Sequence, residues 1–142
     1  VSILFEDPAH DPLVFQAGQY VTLELRIGGE TVRRSYSLAS APGEPGLAIT
    51  VKRVAGGLAS NHLHDGVAVG DVLRSHGPAE RFVPAPPPEG SGRRLLLVAG
   101  GSGVVPLAAI ARHVLATEAD ASVLLLYGAK TRRGAIYGDA LD

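Results

Sequence analysis

Residues 84–92 divide the chain into two parts whose apolar residues repeat with different periods, and that change of period limits the available folds more than any other feature. Pro84, Pro86, Pro87 and Pro88, followed by Glu89-Gly90-Ser91-Gly92, make a stiff and then flexible connection. Before it the pattern is strict alternation. Val1, Ile3 and Phe5 share one face, Asp7-Pro8 and Asp11-Pro12 interrupt, and Val21, Leu23, Leu25 and Ile27 then alternate with Thr22, Glu24 and Arg26. Gly28-Gly29 supplies the positive φ angles of a tight hairpin turn leading into a strand through Arg34, and Leu47, Ile49 and Val51 mark a fourth strand. Short antiparallel strands with Gly-rich connections predict a small barrel. After the connection, Leu95-Leu96-Leu97-Val98 forms a continuous apolar run, expected of a strand covered on both faces. Pro106 suits the first helical position, and Leu107, Ile110, Ala111, Val114 and Leu115 follow at helical spacing before a second strand, Val123-Leu124-Leu125-Leu126-Tyr127. This second part predicts a β-α-β crossover with its ligand at the strand's carboxyl end, over the helix N-terminus.

With 142 residues, 46% of them hydrophobic, the chain can bury a real core as one domain or two small ones. A formal net charge of −1 without a basic stripe argues against a nucleic-acid partner. No apolar run approaches the ~18 residues of a membrane span and no signal-peptide order opens the chain, so the expected setting is cytoplasmic, without a membrane partner. The absence of cysteine excludes disulfides, thiolate-bound zinc and any iron–sulfur cluster held by these residues. The first residues begin without a turn or cap, as though a preceding strand had been cut away.

The densest chemistry lies in Arg33-Arg34-Ser35-Tyr36-Ser37. On a strand, Arg34, Tyr36 and Leu38 share one face and Ser35 and Ser37 the other. A guanidinium that grips phosphate in bidentate fashion beside a flat phenol ring suits a flat, anionic cofactor, although a barrel strand with a surface arginine has the same pattern. Gly56-Gly57 precedes a short helix expected over residues 58–64, whose amide-rich start, with Ser60, can receive a phosphate; a turn that merely redirects the chain reads the same way. Other chemistries fail on particular residues. Ser102 lacks a nucleophile elbow because Val104 replaces the last glycine, no Walker glycine precedes Lys130, and the two imidazoles of His62-x-His64 diverge on a helix.

Arg34-Ser35-Tyr36-Ser37 resembles the R-x-Y-S/T flavin motif of the ferredoxin-NADP reductase superfamily, and three more stretches do so in the right order. Gly18-Gln19-Tyr20 resembles its G-Q-Y/F, Gly56-Gly57-Leu58-Ala59-Ser60 its G-G-x-x-S, and Gly100-Gly101-Ser102-Gly103-Val104-Val105-Pro106 its nucleotide loop G-G-x-G-x-x-P. Val51-Lys52-Arg53-Val54 ahead of Gly56-Gly57 is most similar to reductase components of multicomponent oxygenases, of the phenylacetyl-CoA epoxidase and ketosteroid hydroxylase group. The chain departs from the family at Glu80, which replaces the glycine of P-x-G-x-F.

The resemblance implies a β plus α/β fold: a six-stranded antiparallel FAD-binding barrel over residues 1–84, a connection over 85–93, and an incomplete β-α-β NAD(P)-binding unit over 94–142. It implies hydride transfer from NADPH or NADH to FAD and single-electron delivery to a 2Fe-2S centre in a further domain or a ferredoxin, serving a terminal oxygenase. Arg34 would bind the pyrophosphate, Tyr36 pack on the isoalloxazine and Ser37 hydrogen-bond its N5, which gives Tyr36 and Ser37 the catalytic roles. Ser37 meets that role only if the strand ends or twists sharply there. Val51, Lys52, Arg53, Gly57, Leu58 and Ser60 would complete the flavin site, and Gly101, Gly103, Val104 and Pro106 the nucleotide site. No acidic residue ends the second strand, where Lys130, Arg132 and Arg133 follow instead; their charge favours a 2′-phosphate and hence NADPH over NADH, although solvated surface side chains give the same pattern. The chain is expected to be part of a longer reductase; the alternative is a flavin or nucleotide binding module, or a fragment inactive in isolation.

Overall fold

A computed structural model describes residues 1–6, 14–79, 82–86 and 92–141. The Asp7-Pro8 and Asp11-Pro12 breaks, Glu80 and residues 87–91 lie outside the described residues. The elements run β1 (Ser2–Phe5), β2 (Tyr20–Ile27), β3 (Glu30–Ser37), β4 (Leu47–Thr50), α1 (Leu58–Asp65), β5 (Arg74–Ala79), β6 (Arg94–Gly100), α2 (Val104–Thr117) and β7 (Ser122–Gly128).

The barrel half contains five strands among the described residues, one fewer than expected, in two antiparallel sheets ordered β1-β4 and β3-β2-β5. A bridge between Leu38 and Ile49 joins them. Alternation along β2 places Val21, Leu23 and Leu25 at no more than 2% exposure, while the residues between them face outward. These three pack with Leu38, Ile49 and Val51. Helix α1 closes the core by burying Ala59 and Leu63 against it. Gly28 and Gly29 both take positive φ, 59° and 85°, so the β2–β3 hairpin turns where only glycine is unstrained.

In the second half, β6 and β7 pair in parallel from Arg94↔Ser122 to Gly100↔Gly128. Helix α2 covers one face of this pair, burying Leu107, Ile110 and Val114 in a cluster with Leu97 and Ala99. The expectation of a strand covered on both faces is corrected here. Leu96 and Val98 on β6 and Leu124 and Leu126 on β7 are more than half exposed, because their side chains point away from α2. Leu115 is likewise exposed rather than buried, whereas Val104, Val105, Ala108 and Ala109 are buried. The cluster under α2 includes Ala17 and Ala39 of the barrel half, so the buried stripe is wider than one sheet requires.

Pro106 occupies the third helical position, not the first, since a 3₁₀ turn over Gly101–Gly103 leads directly into α2 at Val104. The change is permitted because amides of the first helical turn have no intrahelical acceptor, and a residue without an N–H forfeits nothing there. No helix among the described residues is long and apolar enough to cross a membrane.

Candidate functional site

Register places the motif residues. Ser37 lies opposite Tyr20, and Ser35 opposite Thr22, with their hydroxyls 2.9 Å apart, so Tyr20, Thr22, Ser35 and Ser37 form the outer face of the sheet. Arg34 and Tyr36 lie opposite Leu23 and Val21, on the face that carries the core. The Tyr36 ring is half-buried against that core. Burial pushes its phenol up from the usual tyrosine value, and the neighbouring Arg34 guanidinium pulls it part of the way back.

The two arginines differ in commitment. Arg33 grips one Glu24 carboxylate oxygen through Nε and Nη2 at 3.0 and 2.8 Å, and this bond, before all else, holds the Glu24 carboxyl below its ordinary range. Arg34 is exposed and, among the described residues, donates only from Nη1 to the carbonyl of Arg33 at 2.7 Å, leaving the rest of its fork available.

Strand β3 ends at Ser37, where the pairing partner changes. The Leu38 amide still donates to Gln19 of the β2 side at 2.9 Å, but the next amide, Ala39, donates to Ala48 of β4 at 2.7 Å. Ser37 therefore stands at a crossing between sheets, which supplies the strand end its assigned role required. It lines a crevice of about 360 Å³ together with Gly18, Tyr20 and Phe82 on the barrel side and Val98, Gly100, Gly103 and Pro106 on the other. Ser37 and the glycine loop thus line one space.

The glycines of that loop test whether a nucleotide fits. A Cβ built on Gly100, Gly101 or Gly103 meets no protein atom within 4 Å, so the bare backbone there is not explained by packing of the chain itself. Gly101 also needs its φ of 53°. Bare backbone at a helix N-terminus, opening into a crevice, is what close approach of a pyrophosphate requires.

Gly18 serves another end. Its φ of 98° turns the chain from Gln16 to Gln19, and a Cβ on it would lie 1.9 Å from the carbonyl oxygen of Phe82. Gln19 is buried, with its Oε1 accepting from the Gln16 amide at 2.8 Å. Gly18-Gln19 thus builds the crevice wall. Phe82 and Val98 carry no site signal in the sequence, and Gly18 and Tyr20 stand there only within the Gly18-Gln19-Tyr20 motif, without a site role.

The second glycine motif is arranged differently from expectation. Gly57 caps α1, and the amides of Leu58, Ala59 and Ser60 head the helix. The Ser60 hydroxyl turns inward, accepting from the Val54 amide at 3.1 Å and donating to the Gly57 carbonyl at 3.3 Å. It holds the loop closed and is not presented to solvent. Arg53 chelates Asp65 at 2.5 and 2.6 Å and also reaches Asn61. Val51 is buried, with its amide and carbonyl engaged by Val1. Lys52 remains exposed, as do Lys130 and Arg132 after β7. A larger groove of about 550 Å³ near Arg26, His62 and Asp71 contains none of the candidate residues. Among the described residues, no group of histidines and carboxylates is arranged to hold a metal.

Residues 3–83, more than half of the chain, match the family model described as the oxidoreductase FAD-binding domain. The chain is 38% identical over 137 residues to the glycine betaine monooxygenase reductase subunit of Pseudomonas aeruginosa, covering 94% of this chain and 37% of that protein. It is 43% identical over 122 residues to the reductase subunit of the Amycolatopsis aromatic O-demethylase, covering 84% and 36%. Among solved structures, phthalate dioxygenase reductase superposes with a TM-score of 0.81 at 30% identity, covering 99% of this chain and 42% of that one. The chain thus spans little more than a third of the length of the curated relatives it matches.

Proposed function

Because the chain belongs to the oxidoreductase FAD-binding domain family, we propose that it is the flavin-binding and nucleotide-receiving part of a reductase that draws electrons from NAD(P)H. The acceptor proposed is an iron–sulfur centre serving an oxygenase, in line with the reductase subunits it is similar to and with a solved relative described as transferring electrons from pyridine nucleotides to [2Fe-2S]. The single observation that carries this reading is the shared crevice, which brings Ser37 and the bare Gly100–Gly103 backbone to one space. Residues 1–84 would hold FAD, 85–93 connect, and 94–142 receive the nucleotide, in a cytoplasmic setting.

Bound there, FAD would supply the change from two-electron transfer out of the nicotinamide to one-electron transfer into the iron–sulfur acceptor. What the chain supplies is placement. Strand β3 is the edge of its sheet, so a ligand lying along that edge can reach Arg34 and Tyr36 on one face and pass round the end of the strand to Ser37 on the other. Arg34 offers charge-assisted hydrogen bonds to phosphate, Tyr36 a half-buried ring, and Ser37 a hydroxyl that can donate into the crevice. With the Ser60 hydroxyl engaged, the α1 end offers backbone amides to an anion. Val98, Phe82 and Pro106 give the crevice apolar walls that would limit water around rings bound there.

The purified chain is expected to bind FAD with quenching of its fluorescence, and the yellow complex to bleach when mixed anaerobically with NADPH. A protein that leaves FAD fluorescence unchanged overturns the flavin reading. One that binds FAD but is never bleached by NADPH or NADH favours a binding module. For nucleotide choice, Lys130→Ala is expected to raise the dissociation constant for NADPH two- to fivefold, about the worth of an exposed charge pair, and to leave that for NADH unchanged. Equal weakening of both would remove Lys130 from 2′-phosphate recognition.

A further inference from the structure

Outside the crevice, one side chain ties its two walls together. Arg112, two and a half turns along α2 from the glycine loop and so about 13.5 Å from it, reaches back to the barrel half. Its Nε donates to Glu44 Oε1 at 2.7 Å, and its Nη2 donates to the Ala39 carbonyl at 2.5 Å and to Glu44 Oε2 at 3.3 Å. Glu44 is itself fixed: its Oε2 accepts the Ala41 amide at 2.8 Å, and its own amide donates to the Ala41 carbonyl at 3.1 Å. Ala39 is the second residue beyond Ser37, and its amide is bound to Ala48. One planar guanidinium therefore joins the helix carrying the nucleotide loop to the backbone carrying Ser37.

We infer that Arg112 is a positioning residue, setting the separation between Ser37 and the Gly100–Gly103 loop by holding α2 to the carbonyl of Ala39 and the carboxylate of Glu44. The inference deepens the functional reading above and rests on it for its catalytic consequence, although the clamp itself needs no cofactor. Ala17 and Ala39 supply the apolar contact with the α2 cluster, which favours closeness but has no preferred direction. A rigid fork meeting two acceptors at once fixes direction as well, which a lysine point charge does only in part. A second directional link joins Thr50 Oγ1 and the Tyr137 hydroxyl, a single bond between two rotatable hydroxyls that fixes direction less than a planar fork does.

The chain contains no cysteine, so spin labels attached after Glu30→Cys and Ala116→Cys, both exposed positions, report the separation of the halves by pulsed electron resonance. A single narrow distance distribution is expected with Arg112 present. Arg112→Ala is expected to broaden it, Arg112→Lys to restore part of its sharpness, and Glu44→Gln to broaden it less than Arg112→Ala, because Nη2 keeps the Ala39 carbonyl. An Arg112→Ala distribution as narrow as the parent's, in protein whose circular dichroism shows it folded, overturns the clamp whatever the cofactor does. In the FAD-loaded chain, Arg112→Ala should then slow limiting bleaching by NADPH about tenfold or more, the scale of a sub-ångström to ångström misplacement, while FAD affinity stays within twofold. Loss of FAD binding in parallel would make the role purely structural and overturn positioning. Failure of the parent chain to bind FAD would instead strike the functional reading and leave the distance result standing.

Discussion

Replacing Gly18 by alanine is expected to lower the free energy of unfolding by at least about 3 kcal/mol, because two costs fall on one residue. The φ of 98° lies where an L side chain is strained, and the added Cβ would sit 1.9 Å from the Phe82 carbonyl oxygen, backbone that cannot rotate out of the way. Relief requires moving either the Gln16–Gln19 turn, whose Gln19 carbonyl receives the Leu38 amide, or the segment at Phe82 that walls the crevice. Either movement also disturbs the crevice, so FAD affinity should fall even under conditions where the variant remains folded. Urea unfolding of both proteins checks the first part. A midpoint unchanged from the parent would mean that Phe82 yields freely, and the account of the wall would be wrong.

Arg34→Ala is expected to weaken FAD binding ten- to hundredfold, the range for losing charge-assisted hydrogen bonds to a phosphate, with no change in thermal midpoint. The absence of a stability effect follows from exposure and from a single bond to a neighbouring carbonyl. Arg33→Ala, one residue away, is the control: it removes the Glu24 pair and should leave FAD affinity near that of the parent. Equal losses from the two variants, read by fluorescence titration, would show general charge attraction and remove the special place given to Arg34.

A pH effect follows from the Arg112–Glu44 pair. The hydrogen bond from Arg112 chiefly, with help from the Ala41 amide, holds the Glu44 carboxyl below its ordinary 4.5 against an opposing effect of burial. A carboxyl lowered by folding contributes stability above its unfolded value and loses that contribution as pH falls through the folded value. The difference in melting between the parent and Glu44→Gln should therefore be present at pH 6 and shrink below about pH 4.5. A difference that persists unchanged to pH 3 would contradict the pairing.

The features legible in the sequence are those set by neighbours along the chain. Alternation from Val21 to Ile27 placed the core face of β2 correctly, and Gly28-Gly29 placed the hairpin. Parity put Ser37 and Tyr36 on opposite faces, as the register has them. What remained hidden depends on partners distant in sequence. Nothing near Ser60 in sequence reveals that its hydroxyl is engaged by the Val54 amide and the Gly57 carbonyl. Leu115 fits helical spacing, but α2 is packed against Ala17 and Ala39 as well as the sheet, which rotates the buried stripe toward Val105 and Ala109. Arg112 had no local signal, since its partner Glu44 lies 68 residues away.

The crossing at the end of β3 also governs when the site can come apart. The amides of Leu38 and Ala39 are tied to opposite sides of the barrel, one to Gln19 and one to Ala48, while Leu38 itself is fully buried. Fraying of an edge strand usually starts at its end, but this end is locked into the core on both sides. Solvent exchange at those two amides then requires opening of the barrel as a whole, and the seat of Ser37 persists for as long as the barrel does.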